Sequence, residues 1–389
     1  MKVLFISDVA YPWVKGGSEY MMFKISQILG AKHQVDFLCG KWWSGAAHQS
    51  NYYGVRMFRN IYHGRRSVVS AVSFTASLLF ELPKITQKYD IIEINQSPML
   101  DFTLLDVIRR SSFASNAPLV GALHEIWQEY WLEYAGILSG VIGYGLEYQA
   151  AKKLDHIITI SDFNRSKLAR WGIPLAKVSV MRPGVDITEI NSSPLSDRSS
   201  DIVFVGRLVF EKRVDVLINA VGILKRKYGK NDAKVIIIGD GPMLNTLKKL
   251  TDEQNLATQI AFLGRIENHS DVYSLMKASK VLVYPAPPEG GWSISLVEAN
   301  AAGLPAITSS RNEIGVGYEV VIDGENGYVS PELSPESFAY YLNLLLDNEP
   351  LRASLSLSSV AYASKFDWKN IADQTEKIFL SVIESKRNN

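Results

Sequence analysis

The sequence contains a single cysteine, Cys39, so no intramolecular disulfide can staple it, and it suits a reducing compartment. Six histidines and one thiol leave little material for a zinc cluster, and no metal site is expected. An excess of either charge is also missing: 41 lysines and arginines face 40 acidic residues, a net charge of +1. That balance argues against a protein whose main task is to coat nucleic acid, so no nucleic-acid partner is expected. Long apolar runs are absent as well. Val3-Leu4-Phe5-Ile6 stops at Ser7-Asp8, short of the ~7–15 residues of an export signal. No segment reaches the ~20 apolar residues of a spanning helix. The nearest candidate, Val68 to Phe80, covers 13 positions with four serines and threonines among them. The expectation is a cytoplasmic protein, with contact at the cytoplasmic membrane face left open.

What is present is an ordinary globular composition, 47% hydrophobic and 21% charged over 389 residues. At ~150 residues per domain that length favours two domains. Short apolar runs recur at Val3–Ile6, Val35–Leu38, Asp90–Ile94, Leu119–Leu123 and His156–Ile160, with helical patterns between them. A polar, turn-rich interval follows Asp186 and reaches Ser200. Beyond it a second alternating series begins: Ile202–Val205, Lys234–Ile238, Ile260–Leu263, Val281–Tyr284 and Ala306–Thr308. Helical patterns such as Val214 to Tyr228 and Met243 to Gln254 separate these runs. Strands alternating with helices predict parallel sheets covered on both faces. The fold class is therefore α/β: two doubly wound, Rossmann-like domains facing a central cleft, with ligands outside the carboxyl ends of the strands.

Four places carry chemistry-bearing residues. Gly16 and Gly17 follow the first strand and precede a helix, where bare backbone and a helix N-terminus favour anions. The pair reads equally well as a tight turn, and it matches neither the dinucleotide fingerprint nor the P-loop. Arg207 stands at the end of a strand and Lys212 five residues on; two cations there suit a diphosphate, although solvated loop charges look the same. A proline-glycine loop, Pro285 to Trp292, leads into a helix near Ser295, with Glu298 in its first turns. Amides at that helix start can bind phosphate, and the carboxylate can accept from sugar or ribose hydroxyls. His124-Glu125 resembles the start of H-E-x-x-H, but Gln128 fills the second histidine's place, which removes the metalloprotease reading. A histidine at the end of a parallel strand either serves substrate or is simply structural.

Together these pieces resemble the family 4-type retaining glycosyltransferases with the GT-B fold, over nearly the whole chain. The carrying residues are Gly16-Gly17 with Glu19, His124, Arg182 to Asp186, Gly206-Arg207 with Glu211-Lys212, and Gly239-Asp240-Gly241-Pro242. Leu263-Gly264-Arg265, Glu298-Ala299, Gly324 to Gly327 and Phe366-Asp367-Trp368 belong to the same pattern. The resemblance implies an acceptor-side domain over 1–187, a nucleotide-sugar domain over 188–365, and a terminal helix over 366–389 that crosses back to the first domain. It implies that Arg207 and Lys212 stabilise the diphosphate leaving group without a metal, and that His124 contacts the donor sugar near the reacting carbon. The backbone at Ser295 and Leu296 would hold phosphate, Glu298 the ribose, and Ile266 the base. Gly16 and Gly17 would press on the diphosphate from the opposite domain, while Glu289, Gly291 and Trp292 complete the donor loop.

The implied reaction moves a hexose from a nucleotide diphosphate sugar to a glycan or lipid-linked acceptor, with no further cofactor. The chain departs from the family at one telling place. The family's two motif glutamates lie one residue closer together than Glu289 and Glu298 do, and Gly290 takes the first glutamate's position. Glu289, followed by two glycines, is expected to fold back and supply that carboxylate; the alternative is that it points into solvent and Gly290 leaves the sugar pocket without that contact. Ser293 and Arg182-Pro183 are lesser departures from the usual glycine and Pro-Asn. Two other readings stay open: a GT-B sugar-nucleotide epimerase, and a non-catalytic sugar-nucleotide or glycan-binding protein. A nicotinamide oxidoreductase is disfavoured, because neither half carries the dinucleotide fingerprint. Residues 65–82, with Arg65-Arg66 ahead of an apolar face at Val68, Val72, Ala76 and Leu79, read either as a membrane-surface helix or as a helix packed on the sheet.

Overall fold

The computed structural model describes residues 1–14, 16–41, 49–52, 55–62, 68–95, 104–114, 116–285, 292–309 and 319–388, with side chains described outside 41–72 and 133–135. The chain divides into two units, Met1–Pro183 with Trp368–Asn389, and Gly184–Asp367. The division falls at these residues because Val185 is tied to the end of the second unit: its N–H donates to the Phe366 carbonyl at 2.8 Å, and it bridges Asp367.

The first unit holds β1 (Lys2–Ser7), β2 (Gln34–Lys41), β3 (Gln49–Tyr52), β4 (Val55–Tyr62), β5 (Ile91–Asn95), β6 (Leu119–Leu123), β7 (His156–Thr159) and β8 (Val178–Val180). They form one sheet in the order β3-β4-β2-β1-β5-β6-β7-β8, parallel except for the β3–β4 hairpin. Strand order runs outward in opposite directions from β1 and β5, which makes their junction a topological switch point. Both faces are covered, which explains the unbroken apolar runs. Leu4, Ile6, Ile92 and Ile94 pack with Phe74 and Leu78 of the helix Val68–Glu81. On the other face Phe5 lies 5.9 Å from Phe37 and 6.4 Å from Phe379, ring to ring, the latter on the returning helix Trp368–Asn388. That helix is also held by polar contacts, His33 to Glu376 at 2.7 Å and Lys386 to Asp155 at 2.8 Å.

The helix over 68–81 is therefore a packed domain helix along its Phe74–Leu78 edge. Of the apolar face proposed for a membrane, Ala76 and Leu79 are exposed, and so is Phe80. Arg65 and Arg66 lie outside the described residues, as do the side chains of Val68 and Val72. Among the described residues no helix is long and apolar enough to cross a membrane.

The second unit contributes β9 (Ser200–Val205), β10 (Val235–Ile238), β11 (Ile260–Gly264), β12 (Ser279–Tyr284), β13 (Ala306–Ser309) and β14 (Gly327–Ser330). Their order is β11-β10-β9-β12-β13-β14, all parallel, so the reversal lies between β9 and β12. Ile202, Phe204, Ile237, Val281 and Val283 are almost wholly buried, and the helix Val214–Tyr228 adds Leu217, Ile218, Val221 and Leu224 to the same core. Each unit is thus a Rossmann-like α/β layer structure with its own core.

One buried acid sets a pH signature for the first unit. Glu93 sits beside Phe5 in register, is 5% exposed, and its Oε2 has no hydrogen-bond partner among the described residues. Burial pushes its carboxyl up to about 8, against about 4.3 in an unfolded chain. Between these values the folded state holds a proton that the unfolded state has lost. Stability from this group is complete below pH ~4.3 and declines by about 1.4 kcal/mol per pH unit toward pH 8. Denaturant unfolding across pH 5–8 should show Glu93→Gln losing that slope relative to the unsubstituted protein. Parallel pH profiles for the two proteins would contradict it.

Candidate functional site

The two strands at the switch point of the second unit lead into the segments that carry Arg207, Lys212, Trp292, Ser295, Leu296 and Glu298. β9 and β12 are neighbours, and the chain leaves their carboxyl ends in different directions. The loop after β9 lies on the turn after β10. Gly206 N–H donates to the Ile238 carbonyl at 3.0 Å, Leu208 N–H to Asp240 at 2.9 Å, and Met243 N–H returns to Leu208 at 3.0 Å. This close stacking explains the Gly-Asp-Gly-Pro run. A Cβ on Gly239 would stand 1.8 Å from the Gly206 carbonyl oxygen, and one on Gly241 would stand 2.4 Å from that of Leu208. Both glycines have positive φ, +142° and +159°.

Leu208, wholly buried, anchors the loop in the core and leaves Arg207 exposed. Among the described residues nothing pairs with the Arg207 guanidinium. The chain then turns through Phe210–Lys212 and reverses at Arg213, a left-handed residue with φ 47°, whose guanidinium grips Asp215 at 3.1 and 3.0 Å. Lys212 is half-buried, and its ammonium donates to the Tyr284 hydroxyl at the end of β12. A cation from the β9 loop is thereby held against the neighbouring strand, at the point where strand order reverses.

On the β12 side the described chain resumes at Trp292, which packs on the core with its ring 6.0 Å from Phe366. Ser293 precedes the helix Ile294–Ala301 but makes no side-chain cap to it; its hydroxyl lies 3.0 Å from that of Ser295. Leu296 is fully buried and its N–H returns to the Ser293 carbonyl at 3.2 Å, so only its backbone belongs to the site. Glu298 Oε1 accepts from the Tyr273 hydroxyl at 3.0 Å. Burial raises the Glu298 carboxyl above the usual range, opposed by His269 and by the Tyr273 hydrogen bond, while Glu189 adds to the rise. Ile266 follows β11, half-buried against the core and flanked by an exposed Arg265–Glu267 pair at 2.8 Å. With neighbouring strands ~4.8 Å apart, the ends of β11 and β12 lie roughly 14 Å from each other. Glu289 and Gly291 lie outside the described residues.

The first unit carries Gly16, Gly17 and His124. The helix Gly17–Gly30 starts at the expected glycine pair, and both glycines are exposed. A Cβ on Gly16 would meet Glu19 Oε2 at 2.1 Å, and the Ser18 hydroxyl donates to that oxygen at 3.0 Å. The Glu19 carboxylate thus folds back over the first turn of its own helix, into the space beside Gly16. His124 directly follows β6. Its carbonyl accepts from Asn164 Nδ2 at 2.7 Å, whereas its Nε2 is shielded from solvent and has no partner among the described residues. Burial lowers the imidazole to about 4, so it is neutral at physiological pH. Two side chains that the sequence pattern does not single out, Tyr284 and Tyr273, touch Lys212 and Glu298. Their only signal is a phenol ending a buried strand and a phenol on the helix His269–Lys277.

Comparison with known proteins bears on the family and the fold. A family model described as Glycosyltransferase Family 4 matches residues 15–189, and one described as Glycosyl transferases group 1 matches 186–358. An uncharacterized glycosyltransferase of Methanocaldococcus jannaschii is 28% identical over 258 residues, 62% of this chain and 64% of that protein. The match thus spans less than two thirds of that relative. Among solved structures, a sucrose-phosphate synthase from Thermosynechococcus elongatus superposes with a TM-score of 0.77 at 18% identity, over 99% of each chain. Anabaena HepE in complex with UDP gives 0.73 at 18% identity, over 98% of this chain and 100% of its own. These neighbours have the GT-B fold, and this chain shares it.

Proton NMR of the histidine side chains tests the electrostatic description of His124. Between pH 5.5 and 8 its ring signals should stay constant, with the transition near pH 4; a midpoint near 6.5 would show an ordinary solvated imidazole.

Proposed function

We propose that this chain, which matches the Glycosyltransferase Family 4 model over residues 15–189 and the Glycosyl transferases group 1 model over 186–358, transfers a hexose from a nucleotide diphosphate sugar to a glycan or lipid-linked acceptor with retention at the anomeric carbon. The observation that carries this reading is the position of Lys212, held by the Tyr284 hydroxyl at the end of β12 at the switch point, on the same loop after β9 as the exposed Arg207. Two cations and a helix N-terminus at the carboxyl ends of parallel strands form a site for a diphosphate. As the glycosidic bond breaks, negative charge grows on the diphosphate. Arg207 and Lys212 meet that charge directly, which is electrostatic catalysis without a metal or further cofactor. Glu298, already accepting from Tyr273 through Oε1, offers its second oxygen to a ribose hydroxyl, and Ile266 gives the base an apolar wall. The uncharged His124 ring serves as a hydrogen-bond partner for substrate rather than as a cation. Trp292, Ser295 and Leu296 lie at the start of the helix on the donor side.

Radiolabel transfer from UDP- and GDP-hexoses to lipid and polysaccharide acceptors tests the reaction. Labelled acceptor supports it; donor consumed without acceptor identifies an epimerase, and binding without turnover a non-catalytic protein. In the active assay Arg207→Ala and Lys212→Ala should each lower kcat by ~10²–10³-fold. Turnover should survive a chelator. Glu289→Gln should cost at least ~10-fold in activity if that glutamate reaches the donor sugar. Near-normal turnover in both cation variants, or abolition by chelator, would overturn the assignment.

A lipid-linked acceptor would bring the first unit to a membrane surface. Exposed Leu79 and Phe80 support such a contact, and so do Ile137, Leu138, Val141 and Ile142, exposed just past the Gly136 kink of the helix Tyr130–Lys153. Flotation with anionic liposomes should fall for Leu79→Glu with Phe80→Glu and for Arg65→Glu with Arg66→Glu. Unchanged flotation in both variants would remove membrane contact from the reading.

A further inference from the structure

We propose that Tyr284 is a positioning residue for Lys212: its hydroxyl fixes the ammonium where the diphosphate of the donor binds. The inference rests on the assignment of Lys212 made above, and goes one residue beyond it. Tyr284 is the last residue of β12 and is 5% exposed. Its ring stacks on Phe204 of β9, centroids 6.4 Å apart and planes within 10°, and Phe204 is wholly buried. The stack leaves the ring little freedom, so the hydroxyl has a defined place above the junction of β9 and β12.

A buried phenol without a hydrogen bond is costly, and phenylalanine would fill the same apolar space at no such cost. Here the hydroxyl accepts from Lys212, whose ammonium lies 4.9 Å from the ring centroid. Lysine is flexible, with four rotatable side-chain bonds ahead of a point charge. An ammonium that must be ordered as the leaving group develops contributes less than one already in place. The ammonium carries three donors, and the bond to Tyr284 uses one of them. Tyr284 thus holds Lys212 from the neighbouring strand without neutralising it, which a carboxylate in the same place would do.

A double-mutant cycle tests this against a merely structural role. Tyr284→Phe preserves the stack on Phe204 and removes only the acceptor. It should melt within a few degrees of the unsubstituted protein while kcat falls by ~10-fold, with KM for the donor changed less. UDP and GDP, titrated in turn by calorimetry, report the same contact without an acceptor, and the better ligand should bind several-fold more weakly. Lys212→Ala with Tyr284→Phe should be no slower than Lys212→Ala alone, because the phenol acts through the lysine. Losses that multiply, or a Tyr284→Phe enzyme with unaltered kcat and diphosphate affinity, would overturn the proposal and leave the role of Lys212 standing. A Lys212→Ala enzyme with normal turnover would instead remove the reading on which it rests.

Discussion

Strand order is the constraint on which the rest of this structure depends. In the second unit β9 and β12 lie side by side and parallel, yet their following chain segments diverge to opposite sides of the sheet. At such a reversal of strand order the loops leaving the two carboxyl ends flank a crevice, the usual place for a ligand in an open α/β sheet. One loop brings Arg207 and Lys212; the other leads into the helix whose first turns hold Ser295 and Glu298. The core beneath makes the placement firm. Leu208 pins the first loop, and the glycines at 239 and 241 let a second backbone support it from below.

Burial then tunes the ionisable groups. His124 is driven to the neutral form, and the Glu298 carboxyl is raised but still drawn toward ionisation by His269 and Tyr273. Glu93, deep in the first sheet, shows the same desolvation, and its Oε2 has no hydrogen-bond partner among the described residues. The two cations of the proposed diphosphate site differ in another way: Arg207 is exposed, and Lys212 is tethered through a neutral hydroxyl. A pre-placed positive charge suits a reaction whose main requirement is to accept a departing diphosphate.

Much of this was legible in the sequence, because a doubly wound fold writes its strands as short unbroken apolar runs. The runs at Val3, Asp90, Leu119, Ile202 and Val281 are all central strands, and the pattern from Val214 to Tyr228 is a helix with those bounds. Three other strands were not legible, although the edge strand β11 was. β4 carries Arg56 and Arg59 within its apolar pattern, β8 has only three residues, and β14 is four residues after a turn. Strands this short, or broken by charged residues, write a weaker apolar signal. The motif residues could be found by their place after strands, but their partners could not. Lys212 and Tyr284 are 72 residues apart, and only the pairing of β9 with β12 makes them neighbours. The fold-back of Glu19 over Gly16 is likewise a local geometry that glycine permits without announcing.

The central claim is stereochemical as well as electrostatic: a nucleotide sugar gives up its diphosphate to a cationic switch point, and the acceptor takes the sugar with its configuration kept. The most direct measurement is the proton NMR spectrum of the isolated product, read at the anomeric position of the new linkage. The account predicts the donor's own anomeric configuration, an α-linked product from an α-configured nucleotide sugar. A β linkage formed from that donor would contradict it.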